Sequence, residues 1–205
     1  MKDGGTVFVP DFTEVHKVDP ARGVKNDDRR EVFRQGLPVI EDGVPPVVTL
    51  AGLQTFFQDK TSHQPSQAMW DALTDLAVTL ERMADGECRP LYHLSSLDPG
   101  VGKTRTIIHF IQALMRSPDH DTVGVLLCVS RPDEIRKLTK EMGLSDEDFA
   151  VFTADEELNS LGSGRPRSAR VLFTTQQMVE RRCEGKLFKD VEVFHFRGHP
   201  RSVRI

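Results

Sequence analysis

The sequence predicts an α/β fold, a mainly parallel sheet flanked by helices with an irregular N-terminal extension, on three observations. From about Leu91 onward, short apolar runs alternate with stretches of helical periodicity. The run Val123-Gly124-Val125-Leu126-Leu127-Cys128-Val129 is apolar almost without alternation, as suits a strand covered on both faces. A Gly-rich hexapeptide, Pro99-Gly100-Val101-Gly102-Lys103-Thr104, stands between a predicted strand and a predicted helix.

Residues 1–60 show no sustained periodicity. Pro10, Pro20, Pro38, Pro45 and Pro46 and the charged stretch Lys25 to Arg30 break the pattern. A strand or two, drawn from pieces such as Val7 to Val9 and Val47 to Leu50, and a short helix near Leu53 to Phe57 are expected there. The remainder, 61–205, reads as one domain of alternating strands and helices. Ser62 to Ser66 gives helix-start signals, and Met69, Trp70, Leu73, Leu76, Ala77, Leu80 and Met83 form one apolar stripe ended by Asp85-Gly86.

A strand is expected over Leu91 to Leu97, then the loop and a helix to about Arg116 whose Ile107, Ile108, Ile111, Leu114 and Met115 fall at helical spacing. Strand Val123 to Val129 precedes a helix from Pro132 to Met142. Phe149 to Thr153 precedes a short acidic helix near Asp155 to Leu161. Val171 to Thr174 precedes a helix from Gln176 to Arg182, and Val191 to Phe196 and Ser202 to Ile205 are the last expected strands. In such a sheet the loops at the carboxyl ends of the strands share one edge, where ligands bind.

The residue types in the hexapeptide suit a polyphosphate. Glycines let backbone N–H groups approach phosphate oxygens, and the helix that follows adds its positive end. Lys103 would reach the β- and γ-phosphates, and the Thr104 hydroxyl would ligate Mg²⁺. Pro99, Gly100, Val101, Gly102, Lys103, Thr104 and Arg105 are therefore the expected ATP-binding residues, with Thr104 on the metal. The pattern G-x-x-x-x-G-K-S/T has Gly where this chain has Leu97. The competing reading is a Gly-rich turn that happens to precede Lys-Thr.

No apolar stretch approaches the roughly 18 residues a bilayer span needs, and no apolar segment follows a basic start at Met1. A cytoplasmic protein without membrane association is expected. Cys88, Cys128 and Cys183 are odd in number and form no C-x-x-C pair, so no disulfide framework is indicated. His195 and His199 have the spacing of some zinc ligands, but paired cysteines do not accompany them and surface histidines are expected.

Charge is asymmetric. From Ser163 to Ile205 ten Lys or Arg face four acids, a balance of +6 that leaves −10 on the first 162 residues. Such a basic quarter suits contact with a phosphate backbone, or a solvated face paired with acidic parts of the same chain.

In order and spacing these segments resemble the first RecA-like domain of superfamily 2 (DEAD/DEAH-type) helicases and translocases, over roughly Trp70 to Ile205. Leu97 to Thr104 is similar to motif I. Leu126 to Pro132 is similar to motif Ia and Val171 to Met178 to motif Ib. The resemblance implies a P-loop ATPase with ATP and Mg²⁺ as cofactors and single-stranded DNA or RNA as partner. It implies that Ser130, Arg131, Thr174 and Thr175 touch the nucleic-acid backbone, and that a further C-terminal helicase region completes the enzyme. Ser130 and Thr175 also suit plain helix capping, a role compatible with phosphate contact.

The family's acidic motif II, an apolar strand ending in Asp-Glu, has no counterpart in this sequence. Asp133-Glu134 falls at a helix N-terminus, where acids complement the helix dipole. Ser202 to Ile205 looks like the strand that should deliver the pair. The expectation is an N-terminal part of a helicase or translocase, weakly active or inactive alone. A stand-alone small P-loop kinase and a non-catalytic nucleotide-dependent binding module are the alternatives.

Overall fold

The computed structural model describes residues 45–60, 65–88, 93, 97–131 and 133–205. The expected strands Val7 to Val9 and, apart from His93 and Leu97, Leu91 to Leu97 lie outside the described residues, as does Pro132. Helices α1 (Pro45–Lys60), α2 (Gln67–Ala84) and α3 (Lys103–Arg116) come first. Strand β1 (Val125–Cys128) leads to α4 (Asp133–Met142), β2 (Phe149–Phe152) to α5 (Glu156–Asn159), and β3 (Val171–Thr174) to α6 (Gln176–Cys183). The two-residue strands β4 (His195–Phe196), β5 (His199–Pro200) and β6 (Val203–Arg204) follow.

Four strands form a parallel sheet in the order β2-β3-β1-β6. The pleat sends Val125 and Leu127 to one face and Leu126 and Cys128 to the other. The first face packs Val171, Phe173, Phe149, Val151 and Val203 against Ile108, Ile111 and Leu114 of α3 and Ile135 and Met142 of α4. On the second, Leu126, Ala150 and Leu172 meet Val191 and Phe194. Cover on both sides explains why Val123 to Val129 reads as a continuous apolar run. Burying each such side chain stabilises the fold by about 1.5–3 kcal/mol.

Helix α2 matches its sequence signals. Ser66 caps it by accepting from Met69 N–H at 3.3 Å. Gly86 at φ 70° follows its last turn, in the left-handed region that favours glycine.

Three expectations are corrected. Val47 to Leu50 is helical, and the short helix near Leu53 to Phe57 belongs to the 16-residue α1, which packs against α2 and α3. Its buried Leu50, Leu53 and Phe57 form a narrow stripe at i, i+3 and i+7, masked in the sequence by polar and small residues between them. The expected strand Val191 to Phe196 is instead a 3-10 turn, Glu192–Phe194, and the two residues of β4. Arg197 at φ 50° and Gly198 at φ 88° turn β4 straight into antiparallel β5, as a two-residue hairpin with both central residues left-handed does.

No helix of the described residues is long and apolar enough to cross a membrane.

Candidate phosphate loop and sheet edge

Gly100 and Gly102 take φ of 87° and 110°, conformations that side-chain-bearing residues rarely adopt. Gly102 has a second reason to be glycine. A Cβ there would lie 3.1 Å from the Phe57 ring of α1 and 3.6 Å from Leu73 of α2, so two helices support the loop from behind. Phe57 is itself held edge-on by Trp70, with ring centroids 5.7 Å apart.

The chain enters α3 at Lys103, and the first hydrogen bond at the helix entry runs from Thr106 N–H to Gly102 C=O at 2.9 Å. The preceding N–H groups have no intrahelical acceptor, and the helix dipole places partial positive charge there. The Lys103 ammonium donates to the carbonyls of Leu97 and, at 3.1 Å, Asp98. It thus curls over the loop that precedes it. Thr104 is exposed and Lys103 half-buried.

These features fit a polyphosphate with Mg²⁺: exposed glycine backbone, a helix N-terminus, an ammonium and a hydroxyl within one short segment. Among the described residues, no group of three His, Cys, Asp or Glu could hold a metal ion by itself. Arg105 differs from its neighbours. Its guanidinium pairs with Glu141 of α4 at 2.9 Å and lies 4.6 Å over the Phe56 ring of α1. Its side chain is committed to the protein, while its backbone N–H belongs to the helix N-terminus.

The four residues expected on nucleic acid come together at the carboxyl edge of the sheet. Cys128 is in register with Thr174, and Val129 N–H donates to Thr174 C=O at 2.8 Å. Ser130 and Arg131 are exposed beyond β1. Thr174 is fully buried and its hydroxyl donates to Phe152 C=O at 2.7 Å, so that side chain ties β3 to β2. Thr175 caps α6, accepting from Met178 N–H at 3.2 Å. Capping is therefore visible at Thr175, and of these four residues Ser130 and Arg131 are the exposed ones.

Two of the ten cations in the basic C-terminal quarter are spent inside the protein. Arg201 is fully buried and donates to the carbonyls of Val125 (3.1 Å), Arg170 (2.6 Å), Pro166 (2.6 Å) and Ala169 (2.7 Å). Burial pushes its pKa down to about 9, which leaves it a cation at neutral pH. Arg170 donates to the carbonyls of Leu114 (2.9 Å), Met115 (3.4 Å), Val123 (3.2 Å) and His120. It places positive charge on the carbonyl end of α3, where the helix dipole favours it. Arg204, on β6, is exposed, with its guanidinium 4.1 Å over the Phe188 ring and its Nε donating to Arg201 C=O at 2.9 Å. Arg165, Arg167, Arg181, Arg182, Lys186, Lys189 and Arg197 are exposed as well.

His195 donates through Nε2 to Lys189 C=O at 2.9 Å, and His199 is exposed on the hairpin. Burial raises the pKa of all three cysteine thiols, that of Cys128 to about 11, so none is primed as a thiolate.

Sequence reasoning overlooked the partners that fasten α3 to its neighbours: Phe56, Glu141, His109 and Gln112. The visible signal was the polar stripe Arg105, His109, Gln112 at i, i+4 and i+7 on an otherwise apolar helix. No family model, curated protein or solved structure matches this chain.

Proposed function

We propose that this chain is the nucleotide-binding, RecA-like part of a helicase-like P-loop ATPase, binding ATP with Mg²⁺ at Pro99 to Arg105 and a nucleic-acid strand at the carboxyl edge of the sheet. The observation that carries the reading is the loop itself: two left-handed glycines, Gly100 and Gly102, deliver the chain into α3 with Lys103 as its first residue. The backbone N–H groups around Gly102 to Arg105 would hold phosphate oxygens, and Lys103 would exchange loop carbonyls for the β- and γ-phosphates. Thr104 would hold Mg²⁺, which would supply positive charge against that of the phosphates.

At the sheet edge, Ser130 and Arg131 beyond β1 and the helix N-terminus at Gln176 beyond β3 offer donors to a phosphate backbone. Contacts of this kind hold a strand without reading its bases. The exposed cations of the C-terminal quarter add a field that attracts it. Hydrolysis needs a carboxylate on Mg²⁺ and a group that orients water. With no apolar strand ending in an acidic pair in the sequence, slow turnover is expected of this chain alone.

The test is thermal denaturation with and without millimolar MgATP. Ligand at about 100 times its Kd stabilises the folded state by about 2.7 kcal/mol. Melting should rise by about 5–11 °C, and Lys103→Ala should remove most of that rise. An unmutated chain whose melting is indifferent to MgATP would refute nucleotide binding at this loop.

A further inference from the structure

We propose that Arg105 is a positioning residue for the phosphate loop, acting through Glu141 and Phe56 without touching phosphate; this rests on the nucleotide-binding reading above. Arg105 is the third residue of α3, directly after Thr104. Its charge is met by Glu141 of α4 at 2.9 Å and its guanidinium covers Phe56 of α1 at 4.6 Å. A planar guanidinium engaged at its edge by a carboxylate and on its face by a ring is held in one orientation.

Glu141 is gripped a second time. Its backbone carbonyl accepts from Gln112 Nε2 at 3.1 Å, and Gln112 Oε1 in turn accepts from His109 Nδ1 at 3.1 Å. His109 presses on α1 at Gly52, where an added Cβ would sit 2.7 Å from Nδ1. Arg105, His109 and Gln112 lie on one stripe of α3, and together they tie it to α1 on one side and α4 on the other. Phe57, the neighbour of Phe56, backs Gly102 in the loop.

Such a clamp fixes the rotation of α3 about its own axis, and that rotation aims the N–H groups of residues 102–105. At a helix radius of about 2.3 Å, a turn of about 20° moves a backbone atom by about 0.8 Å. Hydrogen bonds to phosphate oxygens tolerate only a few tenths of an ångström of such movement. Several donors lose geometry together when the clamp slips, although no residue of the clamp reaches the ligand.

The experiment is isothermal titration of the full chain with MgATP, at a temperature where circular dichroism shows every variant folded. Glu141→Gln removes the charge of the partner and keeps its size, and Arg105→Gln removes the guanidinium. Each should raise Kd about tenfold. The double variant should be no weaker than the weaker single one, since both break the same link, and Arg105→Lys should recover part of the loss. Unchanged Kd in Glu141→Gln, with binding by the unmutated chain intact, would overturn the clamp and leave the nucleotide reading standing. Additive losses would overturn it as well. An unmutated chain that does not bind MgATP would overturn the nucleotide reading, and the clamp with it. Should Arg105→Gln fail to fold, Glu141→Gln decides alone.

Discussion

Arg201→Met should unfold this protein far more easily than any change on its basic surface. The guanidinium is fully buried, and its Nη1 and Nη2 reach four carbonyls from the start of β1 and the segment before β3. Arg170 C=O keeps another partner when Arg201 is lost, because Val125 N–H also donates to it at 2.9 Å. Pro166 C=O and Ala169 C=O lose the donor that reaches them inside the protein. Each orphaned buried acceptor costs about 1–3 kcal/mol. Methionine, of similar length and uncharged, removes the desolvation cost of the cation and offsets part of this. A net loss of about 2–4 kcal/mol follows, or about 5–15 °C in melting temperature for a chain of this size. Arg201→Lys tests whether charge or geometry matters, since an ammonium cannot bridge four carbonyls in one plane. It should be no more stable than the methionine variant. Urea titration followed by far-ultraviolet circular dichroism gives the difference. A midpoint for Arg201→Met within error of the unmutated protein would refute the reasoning, as would near-complete rescue by lysine.

Other perturbations separate surface from interior in the same way. His109 donates through Nδ1 to Gln112, and its Nε2 is buried without a partner. Its pKa is lowered, mainly by burial and also by the Arg105 charge, against the raising effect of Gln112. The unfolded chain then takes up a proton below about pH 6.5 that the folded chain refuses, so stability falls as pH drops through that value and levels off below the folded pKa. Denaturation at pH 7.5 and pH 5.5 should show a smaller loss for His109→Gln than for the unmutated protein, and equal losses would exclude the effect. Thr175→Ala should cost about 1 kcal/mol through the lost cap of α6, read by urea titration; no change there would mean that the cap is idle. Oligonucleotide anisotropy at several salt concentrations should give a slope of log K against log salt of roughly −1.5 to −3, from two to four phosphate contacts at about 0.7 each. Arg181→Ala with Lys186→Ala should flatten it, whereas Arg170→Ala should lower the melting temperature instead; a slope near zero would remove the nucleic-acid assignment.

The difference between what the sequence discloses and what it hides follows from the range of the interactions. Strand β3 at Val171 to Thr174 and helix α6 from Gln176 were readable because each is decided locally, by an apolar tetrad followed by a threonine cap and a polar helix. The turn at Gly100 and Gly102 was readable for the same reason: it is set by neighbours in the chain, and the structure gives those glycines the left-handed backbone they are suited to. Helix α1 was readable only as a short piece near Leu53 to Phe57, because Leu50, Leu53 and Phe57 declare a face only once α2 and α3 are there to cover it. The fate of Arg170 and Arg201, counted as surface charge by composition, was not readable. Each finds its acceptors through contacts 31 to 76 residues away in sequence, apart from no local signal that would distinguish them from exposed Arg167.

A count of cations therefore overstates what a ligand can meet, and the correction bears directly on function. Removing Arg170 and Arg201 from the basic quarter leaves eight exposed cations. They lie on the turn-rich segment before β3, on α6 and the turns after it, on the hairpin of β4 and β5, and on β6. Two of the eight already have acidic neighbours, Arg167 with Glu192 at 3.0 Å and Arg197 with Asp121 at 3.9 Å. Exposed pairs of this kind are weak, so a phosphate backbone could compete for them. The firmest cationic contribution is then expected from Arg181, Arg182, Lys186 and Lys189, on α6 and just beyond it. This is the helix whose first turn Thr175 caps at the carboxyl edge of the sheet. Its N-terminus and its basic last turn thus offer anions two different attractions, one from backbone N–H groups and one from side-chain charge. Salt should weaken the second much more than the first, so residual binding at high salt that survives Arg181→Ala with Lys186→Ala but is lost in a variant disturbing the start of α6 would locate the strand at the sheet edge.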